Sequence, residues 1–230
     1  MISFPISDIT FQIFPFIPID ARMYLLTTER NALLIDPSVN TTAVEFLRKN
    51  SVKHITIILT HEHYDHISGV NYFRDQFNCS VYCTKICAES IANPRKNLSR
   101  YFESLFCEQP KAIQQLVHSL NIQPYSCTAD YWFSEDTTNI FWAGFPIKLI
   151  ATPGHSPGSL CIMLDDKVLF TGDSMLGDGG TVTRLPGGNQ PLFKQKTFEF
   201  LKTLNAELLV LPGHGEPGRL GDLFHRFYFK

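Results

Sequence analysis

No stretch of this 230-residue chain is long and apolar enough to span a bilayer. Its N-terminal stretch, MISFPISDITFQIFPF, lacks the basic start, apolar segment and small-residue cleavage site of a secretory leader. It reads instead as the opening strands of a fold, and the chain is expected in the cytoplasm. An excess of charge of one sign is missing too. The 20 basic residues stand against 22 acidic ones, a formal net charge of -2, so bulk electrostatics attracts this chain neither to nucleic acid nor to an anionic membrane surface. Cysteine is sparse. In a reducing compartment Cys79, Cys83, Cys87, Cys107, Cys127 and Cys161 are expected as free thiols acting as small hydrophobes. The even spacing of the first three invites a metal reading. SVYC, however, reads as strand and TKICAESI as helix, so they are expected on different faces, with no fourth cysteine close by. No internal repeat or low-complexity tract stands out.

What is present is apolar patterning. Hydrophobic residues make up 44% of the chain and include 19 phenylalanines, enough for a substantial core and for part of a pocket wall. The length fits one domain, residues 1–230, carrying an insertion. TFQIFPF, MYLLTT and ALLID read as strands. VEFLRK reads as a helix with Thr41 or Thr42 as its cap. HITIILT is a buried strand, SGVNYFRDQF a helix and CSVYC a strand. From about 85 to 126 the character turns helical, with AESIANP, LSRYFESLF and PKAIQQLVHSL separated by Pro94 and Pro110. PIKLIAT, LCIMLDD and KVLFTGD return to strand, followed by a glycine-rich loop, the helix TFEFLKTLN and a last strand, ELLVLPG. This alternation of strand and helix predicts a layered α/β fold.

Four of the apolar strands run straight into a candidate metal ligand. HITIILT leads to His61, IKLIATPG to His155, KVLFTG to Asp173 and ELLVLPG to His214. Functional groups of layered α/β proteins gather just beyond the carboxyl ends of strands. Five of the eight histidines, His61, His63, His66, His155 and His214, sit at such ends, which scattered core histidines would not do. In HEHYDH, His61 and His63 are two apart and point the same way in an extended chain. Together they can grip one ion, and a turn after them aims Asp65 and His66 at a second. Imidazole and carboxylate suit zinc, iron and manganese. Glu62, by the same alternation, points away.

HEHYDH, TPGHSPGS, FTGDS and LPGHGEP resemble, in this order and across almost the full chain, the motif series of the metallo-β-lactamase superfamily. The resemblance implies an αββα sandwich of two mixed sheets flanked by helices, with a two-zinc site between the sheets. Carried over residue by residue, His61, His63 and His155 hold the first metal, and Asp65, His66 and His214 the second. Asp173 bridges both. The likeness is greatest to the glyoxalase II-like branch, the hydroxyacylglutathione hydrolases, in which GRTDLPGG follows the bridging aspartate. Here the segment is TVTRLPGG: Thr183, Leu185, Pro186, Gly187 and Gly188 match, and Val182 and Arg184 depart from the pattern, so the resemblance implies a hydroxyacylglutathione hydrolase-like enzyme without fixing its substrate. A β-lactamase of the commonest zinc class has Arg in place of His66 and Cys in place of Asp173. Glyoxalase II itself adds a C-terminal helical domain with basic residues for glutathione, whereas RLGDLFHRFYFK is all that follows the last motif here.

The site implies a hydrolase in which a hydroxide bridging two zinc ions attacks a small ester, thioester or lactone, with Asp65 orienting the nucleophile. Competing readings are a mononuclear iron enzyme of the persulfide dioxygenase type, a phosphodiesterase, and a binding protein without catalysis. The first has a GRTD signature that is broken here. The second lacks a basic surface. The third is at odds with a complete ligand set. Asp36, ending LLID, is either an outer support for a ligand imidazole or an ordinary turn residue. Arg184 either meets an anionic substrate or faces solvent. His54, His118 and His225 read as structural. The helical stretch, with Arg95, Lys96, Arg100, Tyr101, Phe102, Leu105 and Phe106, is expected to be a lid over the metal cleft or a homodimer contact, with Tyr101 and Phe102 foremost. The partner is a small molecule, neither nucleic acid nor membrane.

Overall fold

Alternating and doubly apolar strands predict sheets buried on one or both faces. In the computed structural model, which describes residues 4–17 and 19–228, they form two mixed six-stranded sheets. The first holds β1 (Thr10–Phe16), β2 (Ala21–Thr28), β3 (Asn31–Ile35), β4 (His54–Ile58), β5 (Asn78–Thr84) and β6 (Tyr131–Phe133) side by side in chain order. The second holds β7 (Thr137–Trp142), β8 (Phe145–Ala151), β9 (Leu160–Leu164), β10 (Val168–Gly172), β11 (Leu209–Pro212) and β12 (Gly218–Arg219), again in chain order. Strands β3 to β6 are parallel, as are β10 and β11; the other neighbours are antiparallel.

The strand period of two sorts side chains into layers. Tyr24 and Leu26 of β2, Leu33 and Ile35 of β3, Ile162 of β9 and Phe170 of β10 meet between the sheets. Their neighbours Met23, Leu25, Ala32 and Leu34 face outward. They are covered by α1 (Thr41–Lys49), α3 (Val70–Arg74) and α4 (Lys85–Ile91), which contribute Val44, Leu47, Phe73 and Ile91. On the far side Cys161, Met163 and Leu169 face Leu201 of α7 (Glu199–Lys202) and Leu220 and Leu223 of α8 (Leu220–Tyr228). The result is an αββα sandwich, and each fully buried large side chain contributes roughly 1.5–3 kcal/mol by leaving water. Among the described residues no helix is long and apolar enough to cross a membrane.

Several local expectations change. Met1 to Ser3 of the opening stretch lie outside the described residues. The cap of α1 is Asn40, whose side chain accepts from Ala43 N at 2.9 Å; Thr41 is already helical. Cys79 and Cys83 share one face of β5, and α4 folds back over that face, so these two and Cys87 lie in one layer. The expectation that they point apart was wrong because it ignored this return of the helix. All six thiols are free, and burial holds Cys87 well above the usual thiol range. LSRYFESLF is a 3-10 rather than an α-helix, Ser99–Phe106. It is tied by Glu103 to His118 of α5 (Lys111–Ser119) at 3.0 Å. The helix before the last strand begins earlier than TFEFLKTLN, at α6 (Gln190–Leu192) capped by Asn189, and passes through a π-turn, Phe193–Phe198. Strands β6, β7 and β12 and helix α8 carry no strong signal: the strands are short edge or near-edge pieces of mixed polarity.

Candidate metal centre

All seven residues expected as ligands converge at one end of the sandwich. β4 delivers His61 and His63, the one-turn helix α2 (Tyr64–Ile67) delivers Asp65 and His66, and the turns after β8, β10 and β11 deliver His155, Asp173 and His214. His61, His63 and His155 bring one ligand atom each to within 4.8 Å of one another, and so do Asp65, His66 and His214. Asp173 stands between the trios. One of its oxygens lies 3.5 Å from His66 Nε2; the other lies 3.4 Å from His155 Nε2 and 3.5 Å from His214 Nε2.

Four of the five rings have their Nδ1 engaged elsewhere. His66 Nδ1 donates to Asp36 at 2.9 Å, His155 Nδ1 to the Val182 carbonyl at 2.6 Å and His214 Nδ1 to the Ile19 carbonyl at 2.8 Å. His61 Nδ1 meets Thr60 Oγ1 at 3.1 Å, and that hydroxyl is itself committed as donor to Asp36 at 2.5 Å. Such outer partners fix the tautomer and leave Nε2 as a bare acceptor. The Nε2 atoms of His66 and His214 then face each other at 3.2 Å. Two lone pairs at that distance require a cation or proton between them. His155 Nε2 lies 3.0 Å from His63 Nδ1, which can donate to it, leaving the buried Nε2 of His63 without a partner. The buried Nε2 of His61 and Oδ1 of Asp173 have no hydrogen-bond partner at all. This donor set fits metal ions.

The electrostatics follow from the same geometry. Burial, with neighbouring imidazoles, holds His61 well below its ordinary range and His63 at about 3, keeping both neutral as ligands must be. Burial acts in the same direction on His214, but Asp173 and Asp65 outweigh it and raise this group to about 9. Asp65, Asp173 and Asp36 likewise overcome burial at His66 and raise it. The carboxylates thus favour positive charge on the side of the cluster formed by His66 and His214.

Beside the ligands opens a cleft of about 310 Å³. His63, Asp65, His155, Asp173 and His214 form its floor, and Leu98, Phe102, Leu105 and Phe106 form one wall. Ile19, Leu176, Val182 and Leu185 also line it. A family model described as the metallo-beta-lactamase superfamily matches residues 18–214. The chain belongs to this superfamily.

Superfamily relatives include metallo-hydrolases, in keeping with an enzyme. The probable metallo-hydrolase YqgX of Bacillus subtilis is 28% identical over 203 residues, 86% of each chain. The hydroxyacylglutathione hydrolase GloC of Haemophilus influenzae is 26% identical over 196 residues, 84% of each. Among solved structures, the BLEG-1 B3 metallo-beta-lactamase superposes with a TM-score of 0.76 at 26% identity, covering 92% of this chain and 95% of that one.

Within this superfamily fold the undecided residues take definite positions. Asp36 is an outer support: it is buried, accepts from Thr60 N at 2.7 Å and orients His66, so its oxygens are committed. Its backbone is left-handed, φ 51°, a conformation Asn adopts as readily as Asp. Asp36→Asn should therefore keep the backbone but present an amide N–H to donors, lowering metal affinity roughly 10–100-fold. Competition with a chelator measures this, and an unchanged affinity would count against the support role. Glu62 points away from the ligands as expected; it accepts from Ser156 Oγ at 2.8 Å and Gly158 N at 3.3 Å. Arg184 is exposed and does not line the cleft. Tyr101 is 44% exposed and is not part of the wall either, whereas Phe102 is 3% exposed and is. Thr60, Leu98 and the Val182 and Ile19 carbonyls are contributors that sequence reasoning missed. A backbone acceptor leaves no residue-type signal.

Proposed function

We propose that this protein is a dinuclear metal-dependent hydrolase, with two zinc ions as its resident metals and a small ester, thioester or lactone as substrate. The observation that carries this reading is the position of Asp173 between two trios of ligand atoms. In it, His61, His63 and His155 hold one ion, Asp65, His66 and His214 the other, and Asp173 both. Iron or manganese also suits these nitrogen and oxygen donors. Bound there, the ions supply an acidified water, its pKa brought from about 15.7 toward about 7, and polarise the scissile oxygen. Asp65, whose Oδ2 lies 3.3 Å from His214 Nε2, accepts a hydrogen bond from the attacking water and orients it. The apolar walls exclude bulk water and strengthen these interactions. We take residues 1–230 as one domain in which the helical stretch at about 85–126 acts as a lid, since it supplies Leu98, Phe102, Leu105 and Phe106 to the cleft.

Elemental analysis of the purified protein, followed by a panel of thioesters, lactones and phosphodiesters, tests the proposal. Two zinc ions per chain with hydrolysis of carbonyl substrates is the expected result. A single iron with oxygen uptake on persulfides would replace it with the oxygenase reading.

Metal loading should also depend on pH. Below about 9 the ion-free protein carries a proton on His214, and that proton must leave before the nitrogen can ligate. Apparent metal affinity should therefore rise with pH as His214, raised to about 9, gives up its proton. Calorimetry at neutral pH in buffers of different protonation enthalpy should report proton release on binding; a buffer-independent heat would sink this prediction.

A further inference from the structure

The cleft combines a charged floor with walls of another character. Among the described residues, no lysine or arginine lines it. Outside the ligand set, the only polar side chains among the described lining residues are Tyr64 and, at the exposed rim, Gln109. One wall residue is held in place at a cost. Leu98 has a left-handed backbone, φ 64°, yet its side chain is 2% exposed. A leucine stays in that region only where its surroundings over-determine it. Here they do. Asn97, fully buried, donates from Nδ2 to the Ile91 carbonyl at 3.1 Å and the Tyr125 carbonyl at 2.8 Å, and its Oδ1 accepts from Ser99 N at 3.0 Å. Its own carbonyl accepts from Tyr64 N at 2.9 Å. Leu98 is thereby fixed in register with the HEHYDH segment. Phe102 extends the same surface, its ring 5.2 Å from that of Tyr64 and 5.3 Å from that of Phe106.

We propose that the cleft selects an uncharged acyl ester or thioester whose hydrocarbon chain lies along Leu98, Phe102, Leu105 and Phe106, and that it rejects substrates carrying a carboxylate at that end. The proposal rests on the hydrolase reading above. In the reaction the water oxygen bonds to the acyl carbon, the C–O or C–S bond breaks, and a water proton goes to the departing alcohol or thiol. The metal floor attracts the carbonyl end. Along this wall a carboxylate would lose its water against leucine and phenylalanine with no cation to replace it, the only donors outside the ligand set among the described lining residues being the neutral Tyr64 hydroxyl and the Gln109 amide at the rim, which is costly in an apolar surrounding. A methyl group at the same place gains from burial. Leu98 sets how much chain fits, and the small volume of the cleft limits the substrate to a short or medium chain.

The test uses metal-loaded protein and two pairs of probes: N-acetylcysteamine thioesters, and the corresponding amides, of octanoic acid and of the chain-matched acid ending in a carboxylate. Hydrolysis of the octanoyl thioester should exceed that of its carboxylated partner by about 100-fold in kcat/KM, and calorimetry should rank binding of the two amides in the same order. Gln109→Lys places a cation at the exposed rim and should cut the discrimination at least about tenfold, mainly by improving the carboxylated probe. Leu98→Ala should move the optimum toward longer chains. Equal or preferred use of the carboxylated probe, in turnover and in binding, overturns the proposal. If the amides bind with the expected order but no thioester is hydrolysed, the hydrolase reading falls and the account of the wall stands.

Discussion

Asp173→Ala is expected to abolish turnover and to lower bound metal from the proposed two ions per chain to one or none, with the far-ultraviolet dichroism unchanged. Both halves of that result come from the position of the carboxylate. It lies 3.4 to 3.5 Å from ligand nitrogens of His66, His155 and His214, which belong to different trios. Its removal therefore disturbs both trios, and the effect should exceed the roughly 10–100-fold that follows loss of an outer-shell partner. It also removes one of the two carboxylates that raise His214. The sheet should survive because Asp173 follows β10, whose Leu169 and Phe170 remain buried in separate apolar layers. Metal analysis and steady-state kinetics on the same preparation decide the matter. Near-normal turnover would mean that the trios do not act as one dinuclear unit.

A single added methyl group should be nearly as damaging. In Gly213→Ala the new Cβ would overlap Asp173 Oδ1 and come within 2.9 Å of His66 Cε1 and of the Gly172 carbonyl carbon. Gly213 does not have a positive φ, so the backbone itself tolerates alanine and the whole effect is steric. The carboxylate must swing away or β11 must shift, and a displacement near 1 Å costs about a hundredfold in rate. Activity should fall by at least about that factor, with metal binding weakened at both trios. Wild-type kinetics in this variant would show that Asp173 has more freedom than its burial implies.

The fold, and the convergence of these seven His and Asp residues at one end of the sandwich, were legible because two independent patterns coincide: doubly apolar strands, and His or Asp just past their ends. The strand period also read Glu62 correctly. Sequence failed where a residue's role depends on what folds over it. The spacing of Cys79, Cys83 and Cys87 says nothing of α4 returning across β5. Tyr101 and Phe102 are adjacent aromatics, yet the 3-10 turn buries one in the cleft wall and leaves the other in solvent. Leu98 is the hardest case, since nothing about a leucine announces a left-handed backbone; only the Asn97 network makes it tenable.

The engagement of four Nδ1 atoms by Asp36, Thr60, Val182 and Ile19 has a thermodynamic meaning. Asp36 and Thr60 are buried just past the ends of β3 and β4, and Ile19 and Val182 offer backbone carbonyls from connecting segments, so the cradle exists before any ion arrives. Little conformational entropy remains to be lost on loading, and little of the binding free energy is diverted into folding, unlike a zinc finger whose chain is disordered without its metal. Chelation should accordingly strip the ions and leave a protein that still melts cooperatively and can be reloaded with a different divalent metal. Which ion it carries is then governed by supply and by ligand chemistry rather than by a choice made during folding.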